Sequence, residues 1–317
     1  MDIIKESCSI ESNGLLIHFD IYKDKEIKYY KGLIQIAHGM IEHKGNYYYI
    51  ANQLAKSGYI VAINDHRGHG DSIGDSISLG EMGENGFELA IQDMHNLTLY
   101  LKNIYKPKKF ILIGHSMGSL LSRRYLQEYE KEIDILILCG TPSPYFGISF
   151  GIFFLKLCKA FGLNKIGRDL MNRFSFLTFN SKYNRIDNLN SGIPSGRLWV
   201  NRDKNEILKH IKDNKQNFTF SINSSIALLC GVKEVFSKYK KEIKNPNMPI
   251  LFISGEDDAC GKFGKGVLKA YKHIISQGYT DAKLILYANA RHELFLELNK
   301  DEVIDDVLYY LQNSKTI

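Results

Sequence analysis

Paired cysteines, a leader-like start, membrane-length apolar runs and clustered charge are all missing from these 317 residues. The five cysteines (Cys8, Cys139, Cys158, Cys230, Cys260) are odd in number and scattered, with no C-x-x-C pair. That excludes a disulfide framework and predicts reduced, mostly buried thiols in a cytoplasmic protein. Met1-Asp2-Ile3-Ile4-Lys5-Glu6 has no apolar core behind a positive charge, so no secretory leader is expected. The apolar stretch Pro144 to Leu155 falls short of the about 20 residues that span a bilayer. Basic residues outnumber acidic ones 41 to 35, a net +6, but the two signs are interspersed. No basic block of the kind nucleic-acid binding needs is present, while mild attraction to anionic lipid surfaces is consistent with the surplus. Internal repeats and low-complexity segments are absent too.

What is present reads as an ordinary globular chain, 44% hydrophobic and 24% charged. Its length suffices for one large core, or one core carrying an insertion. Asn13-Gly14 between alternating segments, Ile10 to Tyr22, predicts a β-hairpin. Strands are then expected at Leu33–Ala37, Tyr59–Ile63, Phe110–Ile113 and Ile133–Cys139, alternating with helices at Tyr47–Lys56, Phe87–Ile104 and after Gly118. Such alternation predicts a mostly parallel, doubly wound sheet with helices on both faces. After Gly140 the rhythm breaks. An apolar piece, Tyr145 to Phe161, leads into a polar stretch rich in Asn, Ser and Lys, then helical patterns at Glu206–Lys212 and Ser225–Tyr239. The rhythm resumes with a strand at Pro249–Ser254, a helix at Lys262–Gln277, a strand at Lys283–Tyr287 and a helix at Asp301–Gln312. An insertion within one sheet explains this: a core of residues 1–140 and 246–317, with 141–245 as an inserted helical cap.

Gly114-His115-Ser116-Met117-Gly118 lies between a strand and a helix, where G-x-S-x-G makes a nucleophile elbow. A serine hydroxyl needs a base to take its proton, and the base needs a third group to orient it. In doubly wound sheets such groups lie at the carboxyl ends of strands. Two later strand ends supply Gly255-Glu256-Asp257-Asp258 and Ala288-Asn289-Ala290-Arg291-His292-Glu293. The chain order Ser, Asp, His is that of α/β-hydrolases. Among ten histidines, His292 is the one at a suitable strand end. His115 is read as packing, and His66 and His69 as hydrogen-bonding members of a glycine-rich loop rather than metal ligands. His18, His95, His210 and His273 are given no role. Asp258, three residues beyond Gly255, is favoured over Asp257 as the acid. The backbone N–H of Met117, and that of Met40 in His38-Gly39-Met40, are the candidates for binding an oxyanion.

These segments resemble a known family. His38-Gly39-Met40 with Glu42-His43, Asp65-His66-Arg67-Gly68-His69-Gly70, the Ser116 elbow and Ala290-Arg291-His292-Glu293 are similar to the monoacylglycerol lipase/lysophospholipase group of α/β-hydrolases, related to serine aminopeptidases. The resemblance implies an α/β-hydrolase fold and a serine hydrolase cleaving esters of single-chain lipids without cofactor or metal. It implies Ser116 as nucleophile, Asp258 as acid, His292 as base, and Met40 and Met117 at the oxyanion. Asn289 stands where relatives often have glycine, and asparagine tolerates the left-handed backbone. In this family the cap sets substrate choice. Phe150, Phe153 and Phe154 in the apolar cap piece are expected to bind the acyl chain, with transient membrane contact through the same piece. A short-chain carboxylesterase and a non-catalytic binding protein of the same fold are the competing expectations.

Overall fold

The structure is a computed structural model that describes residues 2–144, 147–183 and 196–314, and the backbone alone at 174–178. Tyr145 and Phe146 of the apolar piece, and residues 184–195 of the polar stretch, lie outside the described residues. Two ten-residue strands, β1 (Ile3–Ser12) and β2 (Leu15–Asp24), form the hairpin. Asn13 and Gly14 turn it with φ of +50° and +73°. Both central residues at positive φ match the right-handed twist of the flanking strands.

The wound part follows. It comprises β3 (Gly32–Ala37), α1 (Tyr48–Lys56), β4 (Tyr59–Asn64), α2 (Gly86–Tyr105), β5 (Phe110–His115), α3 (Met117–Tyr129) and β6 (Ile135–Cys139). Helices α4 (Ile148–Ala160), α5 (Asn164–Asn180), α6 (Lys204–Lys212) and α7 (Ile222–Val235) come next. Then β7 (Ile250–Gly255), α8 (Lys265–Gln277), β8 (Ala282–Tyr287) and α9 (Lys300–Asn313) close the chain. The eight strands form one sheet in the order β1-β2-β4-β3-β5-β6-β7-β8. The pairings β1–β2 and β2–β4 are antiparallel and the rest parallel.

The central strands are buried on both faces, and their side chains alternate between two cores. Leu112, Leu136 and Phe252 point toward α2, α3 and α8, against Met94, Leu121 and Ile274. Ile111, Ile113, Ile137 and Leu251 point the other way, toward Leu54 of α1 and Val307 of α9. Several expected boundaries shift by one to four residues, two of them for a visible reason. Helix α8 starts at Lys265 rather than Lys262 because Lys262, Phe263 and Gly264 all take positive φ. Helix α7 ends at Val235 rather than Tyr239, capped by backbone N–H bonds from Phe236. β6 and β7 are neighbours with parallel pairing (Leu138 beside Phe252), although α4 to α7 intervene in the chain. Among the described residues no helix is long and apolar enough to cross a membrane.

Candidate active site

The site begins where β5 runs straight into α3. Ser116 sits at that junction with φ +51° and ψ −116°, a strained conformation for a non-glycine residue. Its N–H donates to Cys139 O at 2.9 Å, and the hydroxyl of Ser119 donates to its carbonyl at 2.6 Å. The flanking glycines are required by close approach. A Cβ on Gly114 would meet Gly118 O at 2.4 Å, and one on Gly118 would meet Ala37 O at 2.0 Å.

From the ends of β7 and β8 come the other two groups. His292 Nε2 is 2.8 Å from Ser116 Oγ, and His292 Nδ1 is 2.9 Å from Asp258 Oδ2. A carboxylate only accepts, so Nδ1 carries the proton and Nε2 is left to accept from the serine hydroxyl. Asp258 is fully buried, at 0% exposure, and its other oxygen accepts the Cys260 N–H at 2.8 Å. Asp257, its neighbour, turns outward and pairs with Lys182 at 2.6 Å. Asn289, at φ +59°, makes the left-handed step in the loop carrying His292.

The loop after β3 is held from beneath. His38 Nδ1–H donates to Gly39 O at 2.8 Å, while its Nε2 accepts the His66 N–H at 2.9 Å. Glu42 accepts the Gly39 N–H at 2.9 Å and the Tyr47 hydroxyl at 2.6 Å. Its other oxygen pairs with His115 Nδ1 at 3.2 Å. Ile41 within this loop has φ +61°, which a β-branched residue adopts only under constraint. Burial disfavours a charged His115, but the Glu42 carboxylate outweighs it and lifts the ring's pKa from 6.5 to about 9. Burial works against ionised Glu42 as well, and His115 with the donors around it brings the carboxyl down to about 2. His115 Nε2 donates to the His292 carbonyl at 3.1 Å. The residue read from sequence as packing therefore ties the β3 loop to the loop of His292.

Ser116 and His292 open into a cavity of about 770 Å³, the size of a small-molecule site. Much of its lining is apolar, including Leu120, Ile148, Met171, Leu228, Leu229 and Val232. Polar side chains line it as well: Glu42, Arg197, His210, Gln216, Asn217 and Glu293. Met40 and Met117 line it beside Ser116. Trp199 packs against His292 with ring centres 4.8 Å apart and the rings tilted by 42°.

The phenylalanines require a correction. Phe150, Phe153 and Phe154 are not among the residues lining this cavity. Phe150 and Phe153 are 73% and 58% exposed, and Phe154 packs beside Leu155 and Cys158. Ile148 and Gly151 are the α4 residues that face inward. A turn of 100° per residue separates these faces, and a helix apolar all round gives no sign of which one points in. Arg197, His210 and Glu293 were the residues sequence reasoning missed. They come from three separate stretches and carry no shared motif.

Strand order, the turn at Ser116 and a Ser–His–Asp chain at the strand ends define this molecule as an α/β-hydrolase. Residues 28–299 match the family described as Serine aminopeptidase, S33. The chain belongs to that family. It is 32% identical to a monoacylglycerol lipase of Mycolicibacterium smegmatis over 89% of this chain and 88% of that one. It is 25% identical to a monoglyceride lipase homolog of Monkeypox virus, over 90% and 89% of the two chains. A thermostable carboxyl esterase from Bacillus coagulans, solved with glycerol, superposes with a TM-score of 0.83 at 26% identity, covering 97% of this chain and 98% of that one.

Proposed function

We propose that this protein hydrolyses carboxylic esters of single-chain lipids, monoacylglycerols or lysophospholipids, through an acyl-enzyme. The observation that carries this reading is the hydrogen-bonded Ser116–His292–Asp258 chain, opening into a cavity lined by both apolar and polar side chains. Ser116 Oγ attacks the ester carbonyl while His292 Nε2 takes its proton, and Asp258 steadies the imidazolium that forms. The N–H groups of Met40 and Met117 bind the charge that develops on the carbonyl oxygen. Each such donor is worth about 2.7–4 kcal/mol of barrier. His292 then gives the proton to the departing alcohol, and water, activated by the same base, releases the acyl group.

Residues 141–245 act as a cap over a core formed by 1–140 and 246–317. The apolar lining from α4 and α7 holds the acyl chain, and the polar lining faces the alcohol. The exposed Phe150 and Phe153 make the transient membrane contact.

Labelling with a fluorophosphonate tests the activated serine, and a panel of p-nitrophenyl esters and single-chain lipids tests the substrate. Rapid labelling at Ser116 with kcat/KM rising from acetate to medium-chain esters is expected. Each added methylene is worth about 0.8 kcal/mol until the apolar lining is covered. No labelling would leave a binding protein of this fold. Labelling with a preference for acetate would leave a short-chain esterase.

A further inference from the structure

The cavity is lined by two carboxylates, Glu42 and Glu293, each of which faces a histidine, and by Arg197. Glu42 faces His115 at 3.2 Å, and Glu293 faces His210 at 3.3 Å. Burial opposes protonation of His210, yet Glu293 raises its pKa. The Asn201 amide occupies the second oxygen of Glu293 at 3.3 Å. Arg197 is the remainder. Its Nη2 donates to a backbone carbonyl, Gln216 O, at 3.2 Å, and among the described residues no carboxylate pairs with it. The half-buried guanidinium thus lines a ligand-sized cavity with no carboxylate in ion-pair contact among the described residues.

Burying a cation without a partner is costly, and a bound anion is what removes the cost. The guanidinium's pKa is lowered by that burial, with Glu293 only partly opposing it. The fork of Arg donors also suits the oxygens of a phosphate. Position decides which part of a substrate it meets. Arg197 precedes Trp199, whose ring packs against His292, and Val200 O accepts the Glu293 N–H at 2.9 Å. This segment therefore lies beside the base that hands a proton to the leaving alcohol.

We propose that Arg197 forms a subsite for an anionic phosphate headgroup, so that lysophospholipid-type esters are preferred over neutral monoacylglycerols. The inference rests on the ester-hydrolase reading above and narrows its substrate.

The test compares 1-octanoylglycerol 3-phosphate with 1-octanoylglycerol, kept below micelle formation. The two share the acyl chain and the ester and differ by the phosphate. The wild type is expected to favour the phosphate, and the ratio of the two kcat/KM values should fall about tenfold or more in Arg197→Gln, as expected for lost hydrogen bonds to a charged group. Arg197→Lys should keep part of the preference. A second readout needs no turnover. Trp199 is the chain's single tryptophan and lines the cavity, so its fluorescence reports binding to the Ser116→Ala protein with Arg197 intact. Tighter binding of the phosphate lipid, weakened by salt, is expected. A wild type that cleaves both lipids with an Arg197→Gln ratio unchanged overturns the subsite and leaves the hydrolase reading standing. A wild type that cleaves neither overturns the hydrolase reading, and the fluorescence titration still decides Arg197, since equal binding of the two lipids refutes the subsite. Inorganic phosphate binding as tightly as the phosphate lipid refutes a headgroup role.

Discussion

Asp257 and Asp258 are chemically identical and adjacent, yet one is buried against His292 and the other pairs with a surface lysine. Ser116→Ala, His292→Ala and Asp258→Asn are each expected to lower kcat by roughly four to six orders of magnitude, with double mutants adding little. Asp257→Asn should stay within a few-fold of wild type. An inactive Asp257→Asn beside an active Asp258→Asn would overturn the assignment of the acid. The Glu42–His115 pair gives a pH prediction. His115 is raised to about 9 in the folded protein, so its stabilising contribution is complete below 6.5 and is lost as pH climbs through about 9. Glu42 is lowered to about 2, so its share is present above 4.5 and fades as pH falls toward 2. Melting temperature should therefore decline between pH 6.5 and 9 in the wild type, and Glu42→Gln should flatten that limb while lowering the neutral-pH melt. An alkaline limb of equal slope in Glu42→Gln would remove this pair as its cause. The pair was not legible in sequence, because Glu42 and His115 sit on different strand ends and meet only when β3 and β5 lie side by side.

At the level of elements, the β5–α3 junction was readable because its geometry demands a local motif. With Gly118 Cα beneath Ala37 O, Gly118→Ala should cost about 1–3 kcal/mol or more in overpacking. It should melt well below Ser116→Ala, which leaves that approach intact; equal melts for the two would contradict the tight junction. Helix α4 behaves in the opposite way. Its composition marked it as apolar, but its orientation is set by what α5 and α7 offer it. Phe153→Asp, on the exposed face, is expected to change stability by no more than about 0.5 kcal/mol. It should leave the acyl-length preference on dissolved esters as it was. Leu228→Trp, on the cavity side, should shorten the preferred chain by filling the space that longer acyl groups need. A length preference that shifts with Phe153→Asp and ignores Leu228→Trp would reverse the two faces.

For the whole molecule, net charge +6 and the exposed Phe150, Phe153 and Phe161 of the cap combine into one expectation. The protein should sediment with anionic vesicles more than with neutral ones, and the Phe150→Asp, Phe153→Asp double variant should lose both. Equal sedimentation of that variant would place any membrane contact elsewhere. The fold itself was open to reading from residue order, since β-branched runs alternating with helical periods have few ways to bury both faces of a sheet. The same holds for Ser116, Asp258 and His292, each of which follows a strand in a short segment with its own signature, so that topology alone brings them to one edge. Local pattern reaches no further than that. Which side of α4 faces the cavity, how Glu42 and Glu293 find their histidines, and why Arg197 meets no carboxylate among the described residues depend on contacts between segments far apart in the chain. Those contacts leave no periodicity to read, because a buried charge is stabilised by whatever the packed fold brings beside it and not by its neighbours in sequence.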